Sequence, residues 1–484
     1  MNPFSSTFQL LLEEKQLKIV DVEHFTGIDR SVLYKLLNGT KEPTDAEMVE
    51  QIADCLCLTL QQREQFLETY YLTKRGPMDY YGRKEIVAFF QEVNLQRDYE
   101  ASPFLPFAAI SLDPGQKIVL NGAQNVDLAI EYFIYSMSQS SSGGTVEINE
   151  ELVNDVTLSV IKKITAMAPE LKIRHMVLLD SEVEHTAEKE HILYNVQVLR
   201  KVIATTIKAS NYTVLYRYGN IMSKKHLARY LPNYVLAGEY VLQFSNDHRF
   251  GIVSRDQELR ELYGKLFQEH EKDAAPLVYA NGDMDSMFSS FPGEDTLQDI
   301  VGHERAWHVL PGISGVQFYR GESSHSSEDL FGSSPVQNLF KSTPGGNHTG
   351  RSDMLAATSI DFFVQEGYLA DFPQTRTKPL SINDRIAILQ RLLVQVRHLN
   401  LKLVDFKEYH NPSNIDTVVT RSGVYLTVYV EPGKTAMAAV REPSIVRTFH
   451  LFLETLEEES SYSVEQTVSY LSWKIRELQD KQAG

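Results

Sequence analysis

The chain has 484 residues, of which 43% are hydrophobic and 23% are charged, and its formal net charge is −17. This length predicts two to four domains, and the composition is ordinary for a globular protein with a sizeable core. No apolar run reaches the roughly 18 residues of a transmembrane helix, and the N-terminus lacks the basic and apolar segments of a signal peptide. We therefore expect a cytoplasmic protein that makes no membrane contact.

The negative charge extends into the first 75 residues. They contain eight Lys or Arg residues against twelve Asp or Glu residues, a net charge of −4. Nucleic-acid-binding domains are usually basic. DNA binding by this region would therefore depend on where its charges lie and not on their sum.

Apolar residues at helical spacing predict five short helices in residues 1–75. The expected N-cap of the first helix is Ser5, Ser6 or Thr7, and that of the third helix is Asp29. Gly27 is expected to end the second helix in a turn that requires positive φ. The other predicted ranges are 19–25, 30–37, 46–56 and a last helix from about residue 59.

The stretch from Thr26 to Thr44, TGIDRSVLYKLLNGTKEPT, resembles the helix-turn-helix family of Cro and the phage repressors, the XRE family. The shared features are the glycine, the cap before the third helix, the Asn-Gly after it, and the basic residue and Pro-Thr that follow. The resemblance covers residues 1–75 and implies that the third helix enters the major groove of double-stranded DNA. It implies DNA contacts from the third helix and the following loop by Arg30, Ser31, Tyr34, Lys35, Asn38, Gly39 and Lys41.

Two positions depart from the pattern of that family. Glu23 stands where the family usually has a small residue against the third helix, and Ile19 stands where it often has a phosphate-binding glutamine. These departures leave open a second interpretation, in which a degenerate helix-turn-helix binds another protein instead of DNA.

The rest of the chain differs in pattern from the N-terminal region. Residues 76–100 are predicted to be a connecting helix and linker, with the helix at 84–95 as a candidate dimer contact. From residue 101, aromatic and β-branched runs alternate with amphipathic helices, which predicts an α/β body with a mixed sheet. We expect one sensor half at 101–275, an irregular Gly/Ser/His-rich loop region at 276–355 and a second sensor half at 356–484.

The two predicted halves have the same order of elements. Each has a helix, three strands and a closing helix, at 191–209, 213–218, 240–244, 250–253 and 256–269 in the first, and at 384–398, 401–406, 424–430, 436–440 and 444–456 in the second. This order favours a duplicated body, although any two α/β halves would look similar at this level.

The segments that close the two halves faintly resemble those of the phospholipase D superfamily. That superfamily uses His-x-Lys-x4-Asp in each half, with histidines as nucleophile and acid and lysines that hold phosphate. Neither His226 nor His410 is followed by a lysine two residues later. The resemblance therefore implies a body over 101–484 that lacks this catalytic machinery.

Residues 281–355 contain several candidate metal ligands, namely His303, Glu304, His308, His325 and His348. Their spacing is not the His-Glu-x-x-His arrangement that places two imidazoles on one helical face. Asp283 and Asp285 begin like a calcium loop but lack its glycine and terminal glutamate. No nucleophile elbow or phosphate-binding loop is present. We therefore expect no catalytic residues, no metal and no cofactor, and no enzyme activity.

Together these patterns favour a bacterial-type, homodimeric transcription regulator. Its all-α N-terminal domain would bind double-stranded DNA, and its α/β body would sense a small molecule or a protein effector. A protein-interaction scaffold and an enzyme with a site in residues 281–355 remain the alternatives.

Overall fold

The computed structural model describes residues 2–94, 112–139, 144–182, 189–221, 223, 231–281, 306–310, 351–368, 379–396, 401–405, 415–431 and 434–483. These residues form two compact units. Unit 1 comprises the described residues through Lys84 together with 189–192, and unit 2 comprises the rest from Glu85 onward. The all-α N-terminal region and the mixed α/β body predicted from the sequence are both present.

Unit 1 packs short helices around one apolar core. These are α1 (Pro3–Lys15), α2 (Ile19–Thr26), α3 (Arg30–Leu37), α4 (Ala46–Cys55) and α5 (Leu60–Arg75). Phe4 and Phe8 of α1 contact Phe66 of α5, with ring centroids 4.8 and 6.1 Å from that of Phe66. All three rings are almost completely buried. Because α1 and α5 are far apart in the sequence, burial of these rings closes the unit.

Polar caps set the helix boundaries of unit 1. Asp29 caps α3 as predicted, but Asn2 caps α1 in place of Ser5, Ser6 or Thr7. The Asn2 side chain accepts a hydrogen bond from the Ser5 N–H at 2.8 Å. Pro3 explains the earlier start, because proline at the first helical position has no N–H to satisfy and its φ already suits a helix.

The next helix, α6 (Pro77–Asn94), starts before its predicted position and is continuous through most of the predicted linker. Its residues from Glu85 belong to unit 2, where Phe89 and Phe90 pack edge to face on Phe449. Phe90 also contacts Phe452. The apolar face proposed from the sequence as a dimer contact is therefore buried within its own chain, because Phe89 is fully covered there.

The first sheet of unit 2 has the strand order β1-β7-β6-β5-β2-β3-β4-β8 among the described residues. Its strands are β1 (Lys117–Asn121), β2 (Thr145–Glu150), β3 (Lys172–Asp180), β4 (Tyr212–Gly219), β5 (Asn233–Ala237), β6 (Tyr240–Phe244), β7 (Phe250–Ser254) and β8 (Ala275–Pro276). One face packs on α7 (Ala123–Ser138), α8 (Asp155–Met167) and α9 (Lys189–Lys208). The other face is covered by α10 (Gln257–Lys272).

The second sheet has the order β12-β11-β10-β13-β14-β15-β9 in the described part of the chain. Its strands are β9 (Tyr279–Asn281), β10 (Ala306–Leu310), β11 (Arg351–Ala356), β12 (Leu401–Val404), β13 (Ile415–Val419), β14 (Val424–Glu431) and β15 (Lys434–Val440). The helices of this half are α11 (Ala357–Glu366), α12 (Ile382–Gln395), α13 (Pro443–Ser460) and α14 (Val464–Ala483). One apolar core extends through both sheets.

The two sheets repeat one topology. Strands β2, β3 and β4 are mutually parallel, and β10, β11 and β12 are arranged in the same way. Strands β5, β6, β7 and β1 continue the first sheet in antiparallel pairs, as β13, β14, β15 and β9 continue the second. Both the order and the directions agree with the duplicated body that the sequence pattern favours.

Part of the segment 276–355 is regular, whereas the sequence pattern predicts an irregular loop region. Strands β9, β10 and most of β11 lie in this range, and Trp307 on β10 and Met354 on β11 are buried. The strands are short and stand between polar stretches, so the hydrophobic pattern does not reveal them. The second half thus begins at β9, and residues 282–305 and 311–350 lie outside the described residues.

No helix in the described part of the chain is both long enough and apolar enough to span a membrane.

Candidate nucleic-acid interface

The predicted DNA-contact residues lie on α3 and on the turn that follows it. Leu33 and Leu36 of α3 are fully buried, which directs the opposite side of this helix to solvent. Gly39 is half-buried. The other six predicted positions are exposed, namely Arg30, Ser31, Tyr34, Lys35, Asn38 and Lys41. The structure thus places all seven predicted positions in one short segment.

Three cations of this segment are available for an anionic partner. Arg30, Lys35 and Lys41 form no ion pair with any carboxylate in the described part of the chain. The guanidinium of Arg30 lies 5.7 Å from the ring centroid of Tyr34, a cation–π contact across one helical turn. Arg30 and Tyr34 therefore form one exposed pair at the N-terminal end of α3.

Ser31 is less available than its exposure indicates. Its N–H and its hydroxyl both donate to Asp29 Oδ1, at 2.8 and 2.5 Å. The hydrogen bonds from Ser31 hold the pKa of Asp29 below its ordinary value, so this carboxyl is ionised at neutral pH. A negative charge consequently occupies the N-terminus of α3, and the Ser31 hydroxyl could contact a base only as an acceptor.

The two departures from the family pattern have clear structural positions. Ile19 is 7% exposed and belongs to the core of unit 1, so it supplies no phosphate contact. Glu23 is half-buried on α2, and its charge acts electrostatically on Arg30. Glu23 therefore reduces the positive potential near Arg30, whereas Ile19 only removes an uncharged phosphate contact.

Gly39 has a structural role in this segment. Its φ is +69°, in the left-handed region, and the turn is closed by the Thr40 and Lys41 N–H groups, which donate to the Lys35 carbonyl at 2.9 and 3.2 Å. A Cβ at this position would lie 3.0 Å from Ser5 Oγ on α1. Gly39 therefore allows the turn to approach α1 closely and orients the residues on either side of it.

We expect Gly39→Ala to destabilise unit 1 more than Gly27→Ala does. Both glycines have φ near +70°, so each substitution carries the left-handed cost of about 1–2 kcal/mol. A Cβ at Gly27 would meet nothing within 4 Å, whereas one at Gly39 would press on Ser5. Hydrogen exchange of residues 2–75 in the full-length chain measures the difference. Equal losses of protection in the two variants would contradict the role assigned to the α1 contact.

A buried ionisable network in unit 2 was not predicted from the sequence. Glu150 at the end of β2 lies between two histidines, with His175 Nε2 3.2 Å from Oε2 and His248 Nε2 3.4 Å from Oε1. His248 Nδ1 lies 2.6 Å from Asp127 Oδ1, and His175 Nδ1 lies 3.0 Å from the Tyr212 hydroxyl. Glu150 and both histidines are almost inaccessible to solvent. The contacts join α7, β2, β3, β4 and the β6–β7 hairpin.

Opposite charges decide the protonation of this network. Burial alone would raise the pKa of Glu150, but contact with His175 and His248 outweighs burial and holds this pKa below its ordinary value. Burial alone would lower the pKa of His248, but Glu150 and Asp127 outweigh it and raise this pKa. Glu150 is therefore an anion at neutral pH, and the protonated form of His248 is favoured.

The sequence carries only a weak signal for this network. His175 directly precedes the apolar run of β3, and Glu150 ends β2, a strand that was not predicted from the sequence. His248 has a φ of +58°, which only the folded hairpin reveals. Pairing across five elements depends on topology, so residue spacing could not have found it.

The candidate metal ligands do not assemble into a described site. His308 lies on β10. The remaining candidates lie outside the described residues, as do the acids of the proposed calcium loop and the histidines compared with phospholipase D: His303, Glu304, His325, His348, Asp283, Asp285, His226 and His410. Within the described ranges, no cluster of three or more His, Cys, Asp or Glu residues has a geometry that could hold a metal ion.

The chain matches no protein-family model, and no curated protein shows significant sequence similarity to it. Solved structures that it resembles include TrmBL2, an archaeal chromatin protein with a novel mode of DNA binding, at 10% identity and a TM-score of 0.22 over 56% of this chain and 98% of that one. Polyphosphate kinase from Porphyromonas gingivalis has 11% identity and a TM-score of 0.22, and the match covers 76% of this chain and 56% of the kinase. Phosphatidylserine synthase from Haemophilus influenzae has 9% identity and a TM-score of 0.22, and the match covers 83% of this chain and 99% of the synthase. Similarity at this level assigns no activity to this chain.

Proposed function

We propose that this protein is a transcription regulator that binds double-stranded DNA through α3 of unit 1. The observation that carries the proposal is a set of exposed cations on α3 and the turn after it that form no ion pair in the described part of the chain, namely Arg30, Lys35 and Lys41. A recognition helix uses its N-terminal residues for base edges, and the loop after it contacts phosphates. We assign Arg30 to a guanine edge, Lys35 to a base or phosphate, and Lys41 to phosphate.

A homodimer is part of the proposal, because three cations in a region of net charge −4 give one subunit little affinity. Two subunits would read half-sites about 34–36 Å apart on one face of the duplex. One or two phosphate-neutralising contacts per subunit, from Lys41 and Lys35, would give the dimer a slope of about −2 to −4 for log affinity against log salt concentration. Unit 2 would bind the effector and favour one arrangement of the dimer, since an effector acts by binding one state more tightly than another. The proposal assigns no catalytic step to either unit.

Electrophoretic mobility shift with the full-length protein and its own promoter fragment tests DNA binding. We expect Arg30→Ala to weaken specific binding by about 5- to 150-fold, since a bidentate base contact contributes about 1–3 kcal/mol. Lys35→Ala should weaken it as well. Lys15→Ala is the matched control, because it removes the same charge from α1, where Lys15 contacts Glu14 and Gln62.

Two results would contradict this function. One is the absence of any shift by the wild-type protein at low salt. The other is equal affinity of the wild type and of the Arg30, Lys35 and Lys15 variants, because the residues of α3 would then contribute nothing specific.

Protein docking through unit 1 is the second candidate function. It is favoured by Phe25 on α2, whose apolar side chain is 66% exposed. Under this alternative the wild-type protein would not shift DNA, and Phe25→Ser would abolish a partner interaction that Arg30→Ala leaves intact.

A further inference from the structure

Three polar side chains converge on the face of the first sheet that α10 covers. Arg217 on β4 is two residues beyond Leu215, which packs with Tyr234 of β5 and with Phe267 of α10 on this face. His270 lies in the last turn of α10. Arg217 Nη2 lies 3.5 Å from Oδ1 of Asn149, the β2 residue that pairs with Tyr234 in the sheet. The guanidinium thus extends over β2 toward Tyr234.

Each of these side chains carries a buried polar atom that lacks a hydrogen-bond partner. These atoms are Arg217 Nε, the Tyr234 hydroxyl and His270 Nδ1. The Tyr234 side chain is especially informative, because the residue is only 3% exposed. Buried polar groups in folded proteins almost always have a partner, so orphaned atoms on three side chains that interact electrostatically with one another indicate a ligand site.

Arg217 forms no ion pair in the described part of the chain, although the charge of Glu151 acts on it electrostatically. The carboxylate of Glu147 contacts Arg174 at 3.3 Å and Arg260 at 3.8 Å instead. Burial lowers the pKa of Arg217 from its ordinary value, as expected for a desolvated cation without a directly bound anion. A guanidinium that is partly removed from water and has no directly bound anion carries an unfavourable desolvation free energy. Binding of an anion here would offset that desolvation.

We propose that Arg217, Tyr234 and His270 bind the carboxylate or phosphate group of a small molecule on the α10 face of the first sheet. The guanidinium presents several N–H donors in a fixed plane that suits a planar or tetrahedral oxyanion. The Tyr234 hydroxyl and a His270 Nδ1–H are additional donors. The position beneath α10 favours a small ligand over a macromolecule. This site does not depend on the DNA-binding function, and its test uses no DNA.

Thermal unfolding of the full-length protein tests the site directly. The probes are inorganic phosphate and succinate, each titrated at an ionic strength held constant with sodium chloride. Trp307 and Trp473, the two tryptophans of the chain, both lie in unit 2, so their fluorescence follows the unit that contains the site. A ligand that binds only the folded state raises Tm with saturable concentration dependence. We expect this for at least one probe, and the more effective one distinguishes phosphate from carboxylate recognition.

Variants separate a specific site from general charge effects. Arg217→Gln should weaken anion binding by about tenfold or more, whereas Arg249→Gln should leave it unchanged. Arg249 is the matched control because it lies on the β6–β7 hairpin with a side chain that is 73% exposed. Tyr234→Phe should weaken binding about fivefold and leave the anion-free Tm equal to or above that of the wild type, since it removes only a hydroxyl that has no partner.

Three outcomes would overturn the proposal. In the first, the wild-type Tm responds to phosphate and succinate no more than to sodium chloride. In the second, Arg217→Gln responds to the anions as the wild type does. In the third, Tyr234→Phe loses stability without anion yet keeps the full anion response. If Arg217→Gln does not fold, the Tyr234→Phe result decides alone.

Discussion

Replacing Glu150 by glutamine is expected to lower the free energy of unfolding of unit 2 by about 3–5 kcal/mol. Glutamine keeps the shape of the side chain but removes the only charge that lies between His175 and His248. Glu150 is 1% exposed, so water cannot replace the lost partner. Urea unfolding of the full-length protein, followed by the fluorescence of Trp307 and Trp473, measures the change.

The pH dependence provides a second measurement of the same network. Because the pKa of His248 is raised above its ordinary 6.5, its contribution to stability is complete below that pH and is lost as pH rises through the raised value. Because the pKa of Glu150 is lowered from 4.5, its contribution is complete above that pH and is lost as pH falls through the lowered value. The gap between wild type and Glu150→Gln should therefore be widest from about pH 4.5 to 6.5.

Glu239→Gln is the matched control for this prediction. Glu239 pairs with Arg255 at 2.6 Å, but its side chain is 71% exposed, and exposed pairs contribute about 0–1 kcal/mol. The buried network does not stabilise unit 2 if Glu150→Gln and Glu239→Gln lower the free energy of unfolding equally. The same conclusion follows if the effect of Glu150→Gln on this free energy does not vary with pH.

Phe66→Ala is expected to destabilise unit 1 by about 3–5 kcal/mol, the usual cost of truncating a buried phenylalanine. The Phe66 ring is fully buried, and it stacks on Phe4 with centroids 4.8 Å apart. A small domain has only about 5–15 kcal/mol of stability, so this loss would expose much of unit 1 to transient unfolding. Hydrogen exchange of residues 2–75 in the full-length chain should accelerate by about two to four orders of magnitude.

Phe25→Ala is the control for that substitution. It makes the same chemical change in the same unit, but the Phe25 side chain is 66% exposed, so the expected change in stability is within about 0.5 kcal/mol. Similar exchange rates in Phe66→Ala and Phe25→Ala would mean that the α1–α5 contact does not limit the opening of unit 1.

Local signals predicted much of unit 1. Asp29 caps α3, Gly27 ends α2 with positive φ, and α3 has the predicted bounds. These features depend on hydrogen bonds and torsions within a few residues, which the sequence specifies directly. The start of α1 was predicted wrongly, because Ser5, Ser6 and Thr7 are also good caps and only the packing of Phe4 shows that the helix begins at Pro3.

Short strands in unit 2 were harder to predict. Strands β6 and β7 were found because runs of aromatic and β-branched residues flank a polar hairpin, but β1, β9 and β10 have no more than five residues each. Their place in a sheet depends on neighbours distant in the sequence, since β1 pairs with β7 and β10 pairs with β11 and β13. Such pairings are contributions of tertiary structure that a local window does not contain.

The sequence alone determined the all-α N-terminal region, its caps and turns, and the positions of the exposed cations Arg30, Lys35 and Lys41, because these follow from helical periodicity and local hydrogen bonds. It also indicated the repeated order of elements in the body. Only the tertiary structure joined Glu150 to its two histidines and brought Arg217 of β4 close to Asn149 of β2. These side chains come from strands and turns far apart in the chain, and the sheet topology, which no residue spacing encodes, decides which of them meet.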